Sequence, residues 1–280
     1  MDFHQTYLLF SVAILGLVFG SFINVVIQRY PKMLEQAWKK ECESFLKHPK
    51  HSNVETENLN LCLPRSHCMQ CKHGLKWSDL VPVLSYLWLK GHCRYCKAQI
   101  SWQYPLVELL SAALLVLIAA QFGFTLYALG LMIMSEALLA LAFIDLNTQL
   151  LPDDLTLSLV WSGLLLSLIS PLTSPSMAIL GAAAGYLFPW LIAKAYKLIR
   201  KREGMGYGDF KLFAAFGAWL GIQALPTLFL GAALLGLVFS LIGLSLKKMD
   251  LQQAFPFGPA IIIAGVILLF AHRFTMFVGV

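Results

Sequence analysis

The sequence predicts an all-α polytopic membrane protein with about eight transmembrane helices and a cytoplasmic insertion built on four cysteines. Three observations carry that reading. Hydrophobic residues make up 58% of the 280 positions and charged residues only 13%, where a soluble domain carries about 25% charge. The apolar runs are continuous and rich in Leu, Ala and Gly, with no strand-period alternation, which means helices rather than a barrel. The basic residues behind the formal net charge of +6 collect between the apolar runs and form no face. Such a charge is a topology signal and argues against a nucleic-acid partner; the partner it predicts is the lipid bilayer.

The first apolar segment runs from Tyr7 to Ile27. Residues 1–6 contain Asp2 and no Lys or Arg, so a transmembrane helix is expected here, not a cleavable signal peptide. Gly20, Ser21 and Asn24 put small and polar groups on neighbouring turns of one face. That pattern suits close helix packing; for Asn24, contact with a substrate is the alternative. On this reading residues 1–29 are the first membrane helix, 30–104 a soluble insertion and 105–280 the membrane core.

The insertion holds all six cysteines. Glu35–Leu46 reads as a short helix and His48–Asn60 as a polar loop. Cys68-Met69-Gln70-Cys71 and Cys93-Arg94-Tyr95-Cys96 are two C-x-x-C knuckles, the pattern of a tetrahedral thiolate zinc site. A reducing cytoplasm disfavours disulfides, and four thiolates leave no open coordination position, so a zinc ion here would hold structure and not catalyse. A redox role for the pairs is the alternative. Cys42 and Cys62 fit neither knuckle, and His67 and His92 read as surface residues.

Seven further segments are expected at Leu106–Ala120, Leu126–Ile144, Leu155–Ile169, Ala178–Leu198, Phe210–Leu225, Leu228–Leu246 and Pro259–Val278, with Pro189 kinking one of them. No repeat of useful period stands out. With Arg29 and the insertion in the cytoplasm, the outer turns at 121–125, 170–177 and 226–227 contain no Lys or Arg. The inner ones hold Lys197, Arg200, Lys201, Arg202, Lys247 and Lys248, and Arg273 alone falls outside. Both termini are then expected on the far side from the cytoplasm.

This topology puts two acids at one surface. Asp145 ends the third apolar segment and Asp209 begins the sixth, after Gly204-Met205-Gly206-Tyr207-Gly208. Three glycines in five residues predict irregular backbone, and Gly206 and Gly208 would let another chain approach the acid closely. Two carboxylates sharing a desolvated site do not both ionise easily, so the pair can hold one proton and act as acid and base together. The plainer reading is two interfacial acids, solvated or paired with Lys211 or nearby arginines. Asp153 and Asp154, after Pro152, look like a helix cap.

Four stretches in this order resemble the type IV prepilin peptidases, and the resemblance covers nearly the whole chain. They are Gly20-Ser21-Phe22-x-Asn24-Val25 with Arg29 and Pro31, the two knuckles with Lys90-Gly91-x-Cys93-Arg94-x-Cys96, Asp145 with Leu151-Pro152-Asp153, and Gly206-x-Gly208-Asp209-x-Lys211-Leu212. The resemblance implies an inner-membrane aspartic protease of pilus and type II secretion systems, with Asp145 and Asp209 as its catalytic pair. Its substrates would be prepilins and pseudopilins, cut after a Gly on the cytoplasmic side. In this family the cysteine domain accompanies members that also methylate the new amine with S-adenosylmethionine, and Gly91 matches a position linked to methylation. Tyr30 departs from the family's usual Leu. No Gly-x-Gly-x-x-Gly turn marks a donor site. A proton-coupled carrier, using Glu108, Glu136 and Asp145 as a relay, and a zinc-containing scaffold without chemistry are the competing classes.

Overall fold

A computed structural model describes residues 3–46, 59–202, 204–245 and 256–278. Lys247, Lys248 and most of the expected loop His48–Asn60 lie outside these residues, as does the side chain of Arg273. The described residues are helical, with no strand beyond two isolated bridges. The α-helices are α1 (Phe3–Leu46), α2 (Leu84–Trp88), α3 (Gln103–Phe122), α4 (Leu126–Thr148), α5 (Asp153–Leu166), α6 (Pro175–Arg200), α7 (Tyr207–Leu220), α8 (Leu225–Ser245) and α9 (Gly258–Val278). Each apolar segment expected from the sequence coincides with one of them.

Among the described residues, five helices are long and apolar enough to cross a membrane: α1, α3, α4, α6 and α8. At 14 residues each, α5 and α7 rise only about 21 Å, short of a hydrocarbon layer of about 30 Å. The chain forms two compact units, Met1–Gly123 and Phe124–Val280.

In the first unit α1 packs on α3. Ser111 Oγ donates to the Gly16 carbonyl at 2.6 Å, and Asn24 Nδ2 donates to the Tyr104 carbonyl at 3.0 Å. A Cβ on Gly20 would lie 2.6 Å from Glu108 Cα, so the small face of α1 is the seam between the helices. The expected break after Ile27 does not occur: α1 passes through Pro31 and joins the segment expected as a separate helix. The Lys, Leu, Glu, Gln and Ala residues after Pro31 are strong helix formers, which outweigh one lost hydrogen bond. Arg29 reaches across to the insertion, donating to the Pro64 carbonyl at 2.7 Å and the Asn60 carbonyl at 3.0 Å.

In the second unit α7 is the central helix. Every residue from Asp209 to Leu220 is buried except the half-buried Lys211. Its backbone meets α6 where a Cβ on Gly217 would stand 2.1 Å from the Gly181 carbonyl oxygen. Trp219 Nε1 donates to the Leu159 carbonyl of α5 at 2.9 Å. The helix begins at Tyr207, so Tyr207 and Gly208 belong to its first turn and not to the irregular stretch expected; the enclosed run from Asp209 to Leu220 that follows supplies what glycine propensity withholds. It ends at Gly221, whose φ of +82° an L side chain would resist.

Candidate functional site

Asp145 occupies the last turn of α4. The helix stops because Gln149 takes a left-handed conformation, its N–H donating to the Asp145 carbonyl at 2.9 Å. The Asp145 side chain is only 4% exposed, and its Oδ2 accepts from the Gly258 backbone N–H at 3.0 Å. Asp209 is the third residue of α7 and 7% exposed. Its carboxylate takes a hydrogen bond from the N–H of Gly206, the residue that caps the helix, and a helix N-terminus favours negative charge. Asp209 also feels the charge of Asp145 directly. Among the described residues neither acid forms a salt bridge.

Leu151 organises the space around them. A Cβ on Gly208 would come within 2.5 Å of Leu151 Cβ, and one on Gly258 within 3.4 Å of Leu151 Cδ2 and 2.7 Å of Asp145 Oδ2. The loop after α4 and the starts of α7 and α9 therefore converge on one leucine. Gly206 is less confined, since a Cβ there would meet only Asp209 Oδ2, at an ordinary 3.4 Å.

Lys211 does not neutralise either acid. Its Nζ pairs with Asp153, which stands with Asp154 in the first turn of α5 and does not cap it. Asn24 belongs to the first unit, where its amide serves the α1–α3 seam. Gly258 and Leu151 were not singled out as site residues from sequence. The available signal was Phe257-Gly258-Pro259 ahead of an apolar run, which reads only as a helix start.

The four knuckle cysteines converge in the first unit. The sulfurs of Cys68, Cys71, Cys93 and Cys96 all lie within 4.8 Å of one another, with Cys68 and Cys96 at 3.7 Å. A tetrahedron of Zn–S bonds of about 2.3 Å has edges of about 3.8 Å, so the donor set and its spacing fit that ion. Backbone N–H groups of Cys71 and Gln70 hold the Cys68 thiol down to about 6, while, against the Ala98 backbone N–H, burial and the other three thiols push Cys96 up to about 11, so the four sulfurs titrate as one cluster. The knuckles repeat one structure 25 positions apart, 68 to 93 and 71 to 96. Lys72 donates to the Cys68 carbonyl at 2.9 Å and Lys97 to that of Cys93 at 3.1 Å, both lysines at positive φ. Bridges His67–Gly74 and His92–Gln99 close the two hairpins. The sequence carries this repeat as His67-Cys68-x-x-Cys71-Lys72 and His92-Cys93-x-x-Cys96-Lys97, a correction to the expectation of no useful period. His67 and His92 turn their Nδ1 to the Arg65 and Lys90 carbonyls, and Cys42 and Cys62 stand outside the cluster.

Gly91 opens the second knuckle. Its φ is +71°, and a Cβ would press to 3.0 Å from Tyr86 Oη, so any other residue would strain the backbone and crowd that hydroxyl.

Apolar helices, two buried carboxylates at helix ends and a four-thiolate insertion define a class of polytopic membrane protein with a carboxylate-pair site. Residues 14–122 match the bacterial peptidase A24 N-terminal domain, and residues 131–241 match the type IV leader peptidase family. The chain belongs to that family. It is 46% identical over 264 residues to a prepilin leader peptidase/N-methyltransferase of Aeromonas salmonicida, covering 94% of this chain and 91% of the relative. It is 48% identical to the one from Aeromonas hydrophila, at the same coverages. To that of Neisseria gonorrhoeae it is 42% identical, covering 93% and 89%. No solved structure matches.

Proposed function

We propose that this protein is a membrane aspartic endopeptidase that removes the leader of type IV prepilins and pseudopilins after a Gly, and then N-methylates the new terminus with S-adenosylmethionine. The observation that carries the reading is the pairing of Asp145 and Asp209: two buried acids within electrostatic reach, with no salt bridge to a cation among the described residues. One keeps its proton. The ionised partner takes a proton from water, the water oxygen adds to the scissile carbonyl, and the protonated partner polarises that carbonyl. The C–N bond then breaks and the leaving amine takes a proton.

Gly208 is filled against Leu151, so the room for a substrate strand at the start of α7 lies at Gly206, with Lys211 lining the approach. We assign zinc to Cys68, Cys71, Cys93 and Cys96 as a structural ion, and methylation support to the insertion within 30–104, Gly91 included. S-adenosylmethionine supplies an electrophilic methyl group, and the second activity is named for each relative above. The basic residues at the end of α6 favour a cytoplasmic face for the acids, both termini in the periplasm and the inner membrane as the location. Acids at helix ends, not in mid-span, count against a carrier.

Asp145→Asn and Asp209→Asn should each abolish leader removal while the protein still inserts, because an amide cannot exchange the proton. Full cleavage by either variant overturns the reading.

A further inference from the structure

The first turn of α9 can be accounted for donor by donor. Pro259 has no N–H, and those of Ala260 and Ile261 both go to the Phe257 carbonyl, at 3.1 and 3.2 Å. Gly258 contributes the remaining N–H, and its acceptor is Asp145, 113 positions earlier in the chain. The contact is buried. Asp145 needs such a donor more than Asp209 does. It stands in the C-terminal turn of its own helix, where the dipole opposes negative charge, while Asp209 stands at the N-terminus of its own.

We propose that Gly258 is a positioning residue of the acid pair: the start of α9 orients the Asp145 carboxylate and stabilises its ionised form. This rests on the aspartic-pair reading above. The amide is well anchored for the task. Phe257 packs so closely on α8 that a Cβ on Gly236 would lie 2.7 Å from its Cε2, and its ring is 6.4 Å from that of Phe213 in α7. Glycine is needed for a steric reason too, since a Cβ at 258 would lie 2.7 Å from Asp145 Oδ2 and 3.2 Å from its Cγ. The side chain of Asp145 is short and enclosed, so it yields to a methyl group only by breaking the hydrogen bond.

The other titratable or charged groups on elements around Asp145 are Asp153 and Asp154 of α5, Tyr207, Asp209 and Lys211 of α7, and Tyr127 and Glu136 on α4 itself; α9 offers none through Ala271. Lys211 is engaged by Asp153. The Gly258 amide is thus a local source of positive potential that the pair does use.

The test is the pH profile of leader cleavage by the full chain in lipid nanodiscs, on a synthetic leader peptide with Gly before the scissile bond. An ester in place of the Phe257–Gly258 amide deletes the N–H and adds no bulk. Its acid limb should move up by roughly one pH unit, with kcat lowered and KM little changed. Gly258→Ala should shift the limb in the same direction. An unmoved acid limb in the ester protein overturns the inference, even if its melting temperature falls, because a purely structural contact would not alter proton affinity. If the ester protein is not obtained, the limb of Gly258→Ala decides by the same criterion. Asp145→Asn and Asp209→Asn run alongside: cleavage by either would defeat the pair itself, whereas two inactive variants with an unmoved limb would defeat Gly258 alone.

Discussion

Val83 and Glu108 are joined by a hydrogen bond of 2.7 Å, from the backbone N–H of the first to Oε2 of the second. Val83 has a φ of 58°, an outlying conformation for a β-branched residue, and Glu108 is 7% exposed within α3. A strained backbone persists only where its surroundings hold it, and here a carboxylate does so while also accepting from Ser21 of α1. One side chain thus ties the insertion to α1 and α3.

Removing that acceptor should loosen the insertion. Glu108→Ala leaves the Val83 N–H without its partner, a cost of about 1–3 kcal/mol. Glu108→Gln keeps a carbonyl acceptor and should cost less. Thermal unfolding in detergent, with limited proteolysis of the insertion, ranks the two; equal stability of Glu108→Ala and the parent would remove this account.

The two glycines before Asp209 should behave differently. Gly208→Ala drives a methyl group into Leu151, and overpacking of that kind costs about 1–3 kcal/mol. If the strain falls on the transition state, cleavage drops roughly tenfold to a hundredfold. Leu151→Ala in the same chain should return part of the loss. Gly206→Ala has room, with φ −72° and ψ 146°, and should cleave within a few-fold of the parent. Equal losses at both glycines would count against the Leu151 contact as the cause.

Metal removal should separate the two proposed activities. Cys93→Ser takes a buried ligand from the four-sulfur cluster. Metal content by mass spectrometry should fall, the insertion should unfold more readily, and methylation should fail before cleavage does. A variant that keeps its metal, or that loses cleavage first, would contradict this.

Much of the fold was open to reading because membrane helices announce themselves by composition. The apolar segments, the positions of Asp145 and Asp209 near helix ends, and the pairing of the knuckles all follow from local spacing. The differences have two sources. The helix of residues 3–46 continues through Pro31 because good helix formers follow it, a local preference that outweighs the proline, whereas Tyr207-Gly208 is drawn into α7 by the enclosed run from Asp209 to Leu220. Lys211 illustrates another limit: its nearness in sequence to Asp209 suggested a counter-ion, yet its amine meets Asp153 from the start of another helix.

The sequence by itself determined that the chain enters a bilayer, that its cysteines form two metal-type knuckles and that its acids stand at the ends of apolar helices. Those properties reside in composition and in spacings of a few residues. Only the tertiary structure decided which groups face the acids: Leu151 between Gly208 and Gly258, and an α9 amide on Asp145. Every non-proline residue carries the same backbone N–H, so no residue type marks the one that will be left over at a helix start. Its partner is settled by how the helices pack.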